Sequence, residues 1–314
     1  RLRELLRVEP QRYACDLHPL YHSSKFARSL GADLVEVQHH HAHAVACMAE
    51  NHLSGPVLAI TCDGTGYGTD GTIWGGEILL ARYESFERLA QLTPLPLFGG
   101  DAAALQPWRS GAALLFQAFS NDWVEALPRW IDRPESLRAR TATHQMQNAN
   151  ANSLCSSLGR LFDAAAYLLG ACEHNRYEGE AAATLEACAR RAKSGPKLKA
   201  RVARNESGLW QMNGVALVVD LLRAREEGAE LSACARGFHR GVCELFTEAA
   251  RNCARQSGIR KVVLTGGCFV NRILLHELAD ALSASGLEVY RHRELPSGDG
   301  ALSFGQALVA AAQA

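Results

Sequence analysis

Apolar residues recur along this chain in two rhythms that take turns. Near the start, YACDL and DLVEV are short runs with strand composition. SSKFARSL and HHHAHAVACMAEN carry apolar residues at helical spacing, and VLAITCD is a third strand. These segments predict β-α-β-α-β, the first helix ending at Gly31. DGTGYGTDGTIWGGEILLARY comes next, where glycines return the chain into another strand and predict a hairpin around Gly64 to Gly71. The pattern returns near the end: KVVLTGG is a strand and turn, NRILLHELADALSAS an amphipathic helix, LEVYRH a strand and ALSFGQALVAAAQA a closing helix. From about Leu105 to Arg255 the chain is alanine- and leucine-rich at helical spacing, with polar interruptions at Thr141 to Asn152 and Lys193 to Ser207.

Alternating strands and helices predict an α/β fold with a mostly parallel sheet, and such sheets bind ligands at the carboxyl ends of their strands. We expect an N-terminal α/β lobe over residues 1–104 and a C-terminal lobe over 105–314. The latter divides into a helical region (about 105–255) and an α/β unit with its closing helix (about 256–314). Two facing units would form a cleft between them.

Composition narrows the function. Thirty-three basic residues balance thirty-three acidic ones, so no net field gathers nucleic acid or anionic lipid, and neither nucleic-acid nor membrane partners are expected. Apolar runs such as Val57 to Thr61 fall far short of the roughly 20 residues of a membrane span. The opening RLRELLRVEP has no initiator methionine and reads as the last turns of an amphipathic helix, not a signal peptide, as in a chain cut from a longer protein. Ten cysteines include no Cys-x-x-Cys pair and read as small buried residues of a reducing cytoplasm.

The strongest chemical signal is His39-His40-His41-Ala42-His43, between a strand and a helix. His39 and His43 are four apart, so they share a helical face and can share a metal. Carboxylates from elsewhere would complete such a site, and Asp63, at the end of VLAITCD and beside the strand leading to the histidines, and Asp299, in PSGDGA, are candidates; each also suits an ordinary turn or cap. Asp63-Gly64-Thr65-Gly66 and Thr265-Gly266-Gly267 are two glycine turns whose backbone N–H groups can approach phosphate, the second leading into a helix.

No Walker loop occurs, and the G-x-G-x-x-G spelled by Gly66, Gly68 and Gly71 runs into a strand where a dinucleotide site needs a helix. Arg160 and Asp163 are three apart on one helix. They form either a surface ion pair or, with Glu180 of NRYEGE, a site that meets and orients an anionic substrate. Cys268 lies in an apolar stretch and reads as a core residue, so a transfer without a covalent enzyme intermediate is favoured.

Six ordered segments, VQHHHAHAVACMAEN, CDGTGYGTDGTIWGGE, PLFGGDAAALQPWR, SSLGRLFDA, YEGEAA and LTGGCFVNRIL, resemble the C-terminal part of the HypF family of [NiFe]-hydrogenase maturation carbamoyltransferases. The histidine and glycine motifs are shared with tRNA threonylcarbamoyl-modification ATPases and antibiotic O-carbamoyltransferases; PLFGGD…PWR and YEGEAA favour the hydrogenase enzymes. The resemblance implies a two-lobed actin-like ATPase (ribonuclease H-like) fold with a helical middle region. It implies a divalent metal, iron or zinc, on His39, His43, Asp63 and Asp299. It also implies ATP or carbamoyl-adenylate against Gly64, Thr65 and Gly66 and bordered by Gly266, Gly267 and Asn271, with Arg160, Asp163 and Glu180 as catalytic candidates.

The implied reaction is carbamoyl transfer from carbamoyl-adenylate to the C-terminal cysteine of a partner maturation protein in the cytoplasm. By the same resemblance, acylphosphatase-like, zinc-finger and carbamoyl-adenylate-forming domains would precede this chain, and the first strands of the actin-like domain would be missing. Threonylcarbamoyl transfer to tRNA, or a non-catalytic nucleotide-binding scaffold, are the competing readings.

Overall fold

The longest apolar run in the sequence becomes the middle of the molecule. In the computed structural model, which describes residues 5, 7–150 and 153–314, β3 (Val57–Tyr67) is buried at each of its first seven positions, as expected of a strand covered on both faces. Two shorter strands precede it, β1 (Tyr13–Asp16) and β2 (Leu34–Val37). After it come β4 (Ile73–Ala81), β5 (Phe86–Leu92), β6 (Leu95–Pro96), β7 (Leu154–Cys155), β8 (Val202–Arg204), β9 (Trp210–Met212), β10 (Lys261–Thr265) and β11 (Glu288–Arg291).

The chief path of the large sheet is β11-β10-β3-β4-β5-β9-β8, with β6 and β7 attached beside β4. β3, β4 and β5 run antiparallel, whereas β10 and β11 lie parallel to β3, with Val262 opposite Leu58.

This pairing crosses residue 104, where we expected a lobe boundary. Strands from both ends of the chain share one sheet, and among the described residues only β1 and β2 form a separate two-stranded parallel sheet. The reason lies in burial: β1 and β2 are short and half-covered, whereas β3 needs a neighbour on each edge, supplied by β4 and β10, and a helical layer on each face. The glycines after Cys62 also differ from expectation. They remain within β3, across an irregularity in its pairing between Cys62 and Gly66, and the chain reverses only at Gly68 to Thr72.

Helices α1 (His22–Ser29) and α2 (His39–Glu50) follow β1 and β2. The middle of the chain holds α3 (Ala102–Leu105), α4 (Pro107–Phe119), α5 (Ser136–Gln147), α6 (Leu158–Leu168), α7 (Glu180–Ala189), α8 (Gly214–Glu226) and the 27-residue α9 (Leu231–Ser257). Then come α10 (Arg272–Ala284) and α11 (Leu302–Ala312). Phe162 of α6 and Phe238 of α9 meet edge to face at 5.0 Å in the main core.

α2 is buried from His39 to Met48, with no polar face. It fits because α11 presents Gly305, where any Cβ would collide with the Ala42 carbonyl. The amphipathic helix expected at RLRELLRVEP falls largely outside the described residues.

Candidate metal and nucleotide site

β2 delivers the chain to α2, whose first turn is capped by the Gln38 side chain accepting from His41 N at 2.9 Å. One turn apart, His39 and His43 bring their Nε2 atoms to 3.2 Å. Asp63 on β3 places Oδ2 3.1 Å from His43 Nε2 and 3.5 Å from His39 Nε2, and Asp299 Oδ1 lies 3.5 Å from both. Ligating atoms of all four residues lie within 4.8 Å of one another. The four residues singled out in the sequence therefore meet.

The arrangement fits a divalent cation. Two imidazole nitrogens face each other at a distance neutral rings tolerate only when one is a donor, and Asp63 Oδ2 is buried without a hydrogen bond. Asp63 Oδ1 is oriented by the Gly64 N–H at 2.8 Å. Burial opposes protonation of His39, but the carboxylates of Asp16, Asp299 and Asp63 outweigh it and hold the ring well above the ordinary histidine range. Asp299 and Asp63 likewise overcome burial to raise His43. Burial works against ionisation of Asp63, yet the two imidazoles keep its carboxyl well below the usual range. This is a negative pocket that attracts positive charge, whether protons or a metal. Three members are buried, whereas the Asp299 side chain is 73% exposed.

Asp16 was not foreseen. Its Oδ2 lies 2.9 Å from His39 Nδ1, the ring nitrogen facing away from the cluster, which orients the imidazole and raises its basicity. We expected the strand ending at Asp63 to neighbour the one leading to the histidines. The observed neighbour is β1, with Asp16 paired in register to Val37 two residues before His39. Two short strands of equal length separated by one helix were the available signal.

Glycines from four segments converge beside the cluster. A Cβ on Gly159 would lie 2.9 Å from Gly64 Cα, one on Gly267 3.0 Å from Asp63 Oδ1, and one on Gly298 3.5 Å from Gly267 Cα. A cavity of about 290 Å³ opens there, lined by Asp63, Gly64, Arg160, Asp163, Gly267 and Asn271 among others. Gly266 has φ +106° and backs directly onto Cys62, a conformation and a clearance only glycine supplies. A 3₁₀ turn, Gly267–Val270, separates this turn from α10, whose N-cap is Asn271, its side-chain oxygen accepting from Leu274 N at 3.0 Å. Thr65 faces a second, larger cavity of about 970 Å³ with Tyr67, Phe98, Arg160 and Glu178.

Arg160 and Asp163 pair at 2.8 Å, both buried, so a surface ion pair is ruled out. Burial pushes the Asp163 carboxyl up to about 6, with Arg160 and Asn175 opposing. Glu180 departs from expectation: its carboxylate accepts from the Arg176 backbone and guanidinium and lines neither cavity. Its neighbour Glu178, in the same NRYEGE segment, lines both cavities, its Oε1 3.2 Å from where a Gly64 Cβ would sit. Cys268 is half-buried against the main core and lines the smaller cavity, and burial drives its thiol well above the usual range.

Three antiparallel strands extended by two parallel ones, with a histidine–carboxylate cluster and a glycine-lined cavity at the strand ends, define an actin-like, ribonuclease H-like α/β domain. Residues 59–306 match the family described as carbamoyltransferase, Kae1-like domain, second subdomain, and residues 1–50 match the HypF Kae1-like domain. The chain belongs to the HypF family.

It is 39% identical to the carbamoyltransferase HypF of Rhizobium leguminosarum bv. viciae, over 96% of this chain and 38% of that protein. To a HypF homolog of Cupriavidus necator it is also 39% identical, over 96% of this chain and 78% of the other. A crystal structure of full-length HypF in a phosphate- and nucleotide-bound form superposes with a TM-score of 0.91 at 36% identity, covering 98% of this chain and 48% of that one. HypF of T. kodakarensis gives 0.88 at 32%, covering 98% and 41%. The chain thus spans about two-fifths of the Rhizobium relative's length.

Proposed function

We propose that this chain performs carbamoyl transfer from carbamoyl-adenylate to the C-terminal cysteine thiol of a partner maturation protein, toward the cyanide ligands of a [NiFe]-hydrogenase. The carrying observation is adjacency: Asp63 belongs to the histidine–carboxylate cluster and also lines the glycine-walled cavity. In the reaction the thiol sulfur bonds to the carbamoyl carbon, the bond from that carbon to the AMP phosphate oxygen breaks, and the thiol proton is released.

His39, His43, Asp63 and Asp299 would hold iron or zinc, both of which accept imidazole and carboxylate. Bound there, the cation would polarise the carbamoyl oxygen or hold phosphate. Backbone N–H groups of the Gly64–Gly66 and Gly266–Gly267 segments would receive charge on the departing AMP. Asn271 would border the nucleotide, whether ATP or carbamoyl-adenylate. Arg160, held by Asp163, would face anionic substrate from the wall shared by both cavities, where Glu178 stands beside it.

Carbamoyl-adenylate synthesis would fall to sequence that relatives have and this chain does not match. The nucleotide-bound relative supports the nucleotide assignment. All ten cysteines are free thiols, which suits a reducing cytoplasm. No helix among the described residues is long and apolar enough to cross a membrane.

The test is a double variant, His39→Ala with His43→Ala, loaded with zinc or iron, supplied with carbamoyl-adenylate and offered a peptide ending in cysteine. Loss of metal and of thiocarbamate formation with a native circular-dichroism spectrum is expected. Unchanged metal stoichiometry would remove these ligands from consideration. A wild-type chain that binds nucleotide without turnover would favour a scaffold.

A further inference from the structure

Glu50 sits in the last turn of α2, where a carboxylate faces the negative end of the helix dipole. An acid there is unfavourable unless something else holds it. Here the partners are unusual: Glu50 Oε1 accepts the backbone N–H groups of Arg293 at 2.7 Å, Glu294 at 2.5 Å and Leu295 at 3.2 Å, three successive residues of the loop after β11. Its Oε2 lies 2.7 Å from His292 Nδ1. His292 Nε2 is 2.9 Å from the Thr265 hydroxyl, which donates to the His43 carbonyl at 3.2 Å. Asn51 adds a bond from its side-chain amide to Arg291 O at 3.2 Å.

The loop so gripped runs on through Ser297, whose carbonyl accepts from Gly266 N at 2.8 Å, to Asp299. Asp299 is the exposed member of the cluster. Among the described residues its carboxylate has ionic partners only in His39 and His43, at 3.5 Å each. No other ionic partner among the described residues directs its side chain, so its place depends on where the loop is fixed: at Ser297 by the Gly266 N–H, and over residues 293–295 by the histidine helix itself, seven residues beyond His43.

We infer that Glu50 is a positioning residue: it carries the backbone of residues 293–295 on the histidine helix and thereby registers Asp299 against His39 and His43. The inference rests on the metal reading of that cluster. It assigns Glu50 no contact with substrate or cation, and it explains why an acid stands at a helix end that disfavours it. Gln at this position keeps the size and one carbonyl oxygen for the loop amides but removes the negative charge that three amide N–H groups and His292 share.

The experiment is a cobalt(II) titration of the full chain, read by visible absorption, with hydrogen exchange over residues 292–299 measured in the metal-free protein. Glu50→Gln should weaken cobalt affinity by roughly tenfold, the low end of what outer residues of a metal site command. It should also speed exchange at residues 293–295 while leaving 57–62 protected. Glu50→Asp, which keeps the charge, should fall between the two.

In an Asp299→Ala background, Glu50→Gln should change affinity by less than about twofold, because the route through Asp299 is already cut. A tenfold loss persisting in that background, or wild-type cobalt affinity in Glu50→Gln, overturns the inference while leaving the metal site standing. A wild-type chain that takes up no cobalt overturns the site and the inference together.

Discussion

Asp16 Oδ2 lies 2.9 Å from His39 Nδ1, so a carboxylate on β1 reaches a ring on α2 from the side opposite the cluster. Both groups are buried, and Asp16 Oδ1 is already bonded to His18 N at 2.7 Å. Asp16→Asn keeps this shape but weakens the acceptor, and metal affinity measured by chelator competition should fall by about 10- to 100-fold with an unchanged fold. Wild-type affinity in that variant would deny Asp16 its part.

Gly267→Ala tests the glycine cradle. The new methyl would stand 3.0 Å from Asp63 Oδ1, inside the cavity wall. Nucleotide affinity by calorimetry should drop by about tenfold, roughly 1.4 kcal/mol. Equal affinity would place the nucleotide elsewhere.

Arg160→Ala leaves Asp163 as a buried carboxylate without its cation, which costs about 3–5 kcal/mol where no other charge compensates. Replacing both residues with apolar ones, Arg160→Met with Asp163→Leu, should recover most of that in denaturant unfolding while leaving transfer impaired. If both stability and transfer returned, the pair would be packing alone.

A pH dependence follows from Glu50. Burial works against its charge, but the amides of Glu294, Arg293 and Leu295 outweigh it and lower the pKa. A carboxyl depressed on folding stabilises above its unfolded pKa of about 4.3, and that contribution fades as pH falls through the folded value. The melting-temperature gap between wild type and Glu50→Gln should therefore be widest near neutrality and close below about pH 4. A gap independent of pH would mean the carboxylate's charge is not what the loop amides recognise.

Much of this was legible beforehand, for identifiable reasons. His39 and His43 declare themselves because helical spacing is local, and Asp63 and Gly266 to Gly267 because each follows an apolar strand run within one segment, although β3 carries on past Asp63 to Tyr67. What escaped depends on pairing between distant segments. Asp16 required knowing that β2 lies beside β1 instead of β3. Glu178 and Glu180 stand two positions apart, the first before α7 and the second opening it, and only the fold decides that Glu180 meets Arg176 while Glu178 faces the cavities. The strand order across residue 104 was hidden for the same reason: β10 pairs with β3 over some two hundred intervening residues.

Of the four clustered side chains, three are sealed inside and Asp299 stands on the surface. The cation proposed for this cluster would then arrive and depart through one side without the chain coming apart. Stripping with a chelator should leave a folded protein that recharges on dialysis, and the identity of the ion in a living cell would be set by which free metal is available, as much as by the donors themselves.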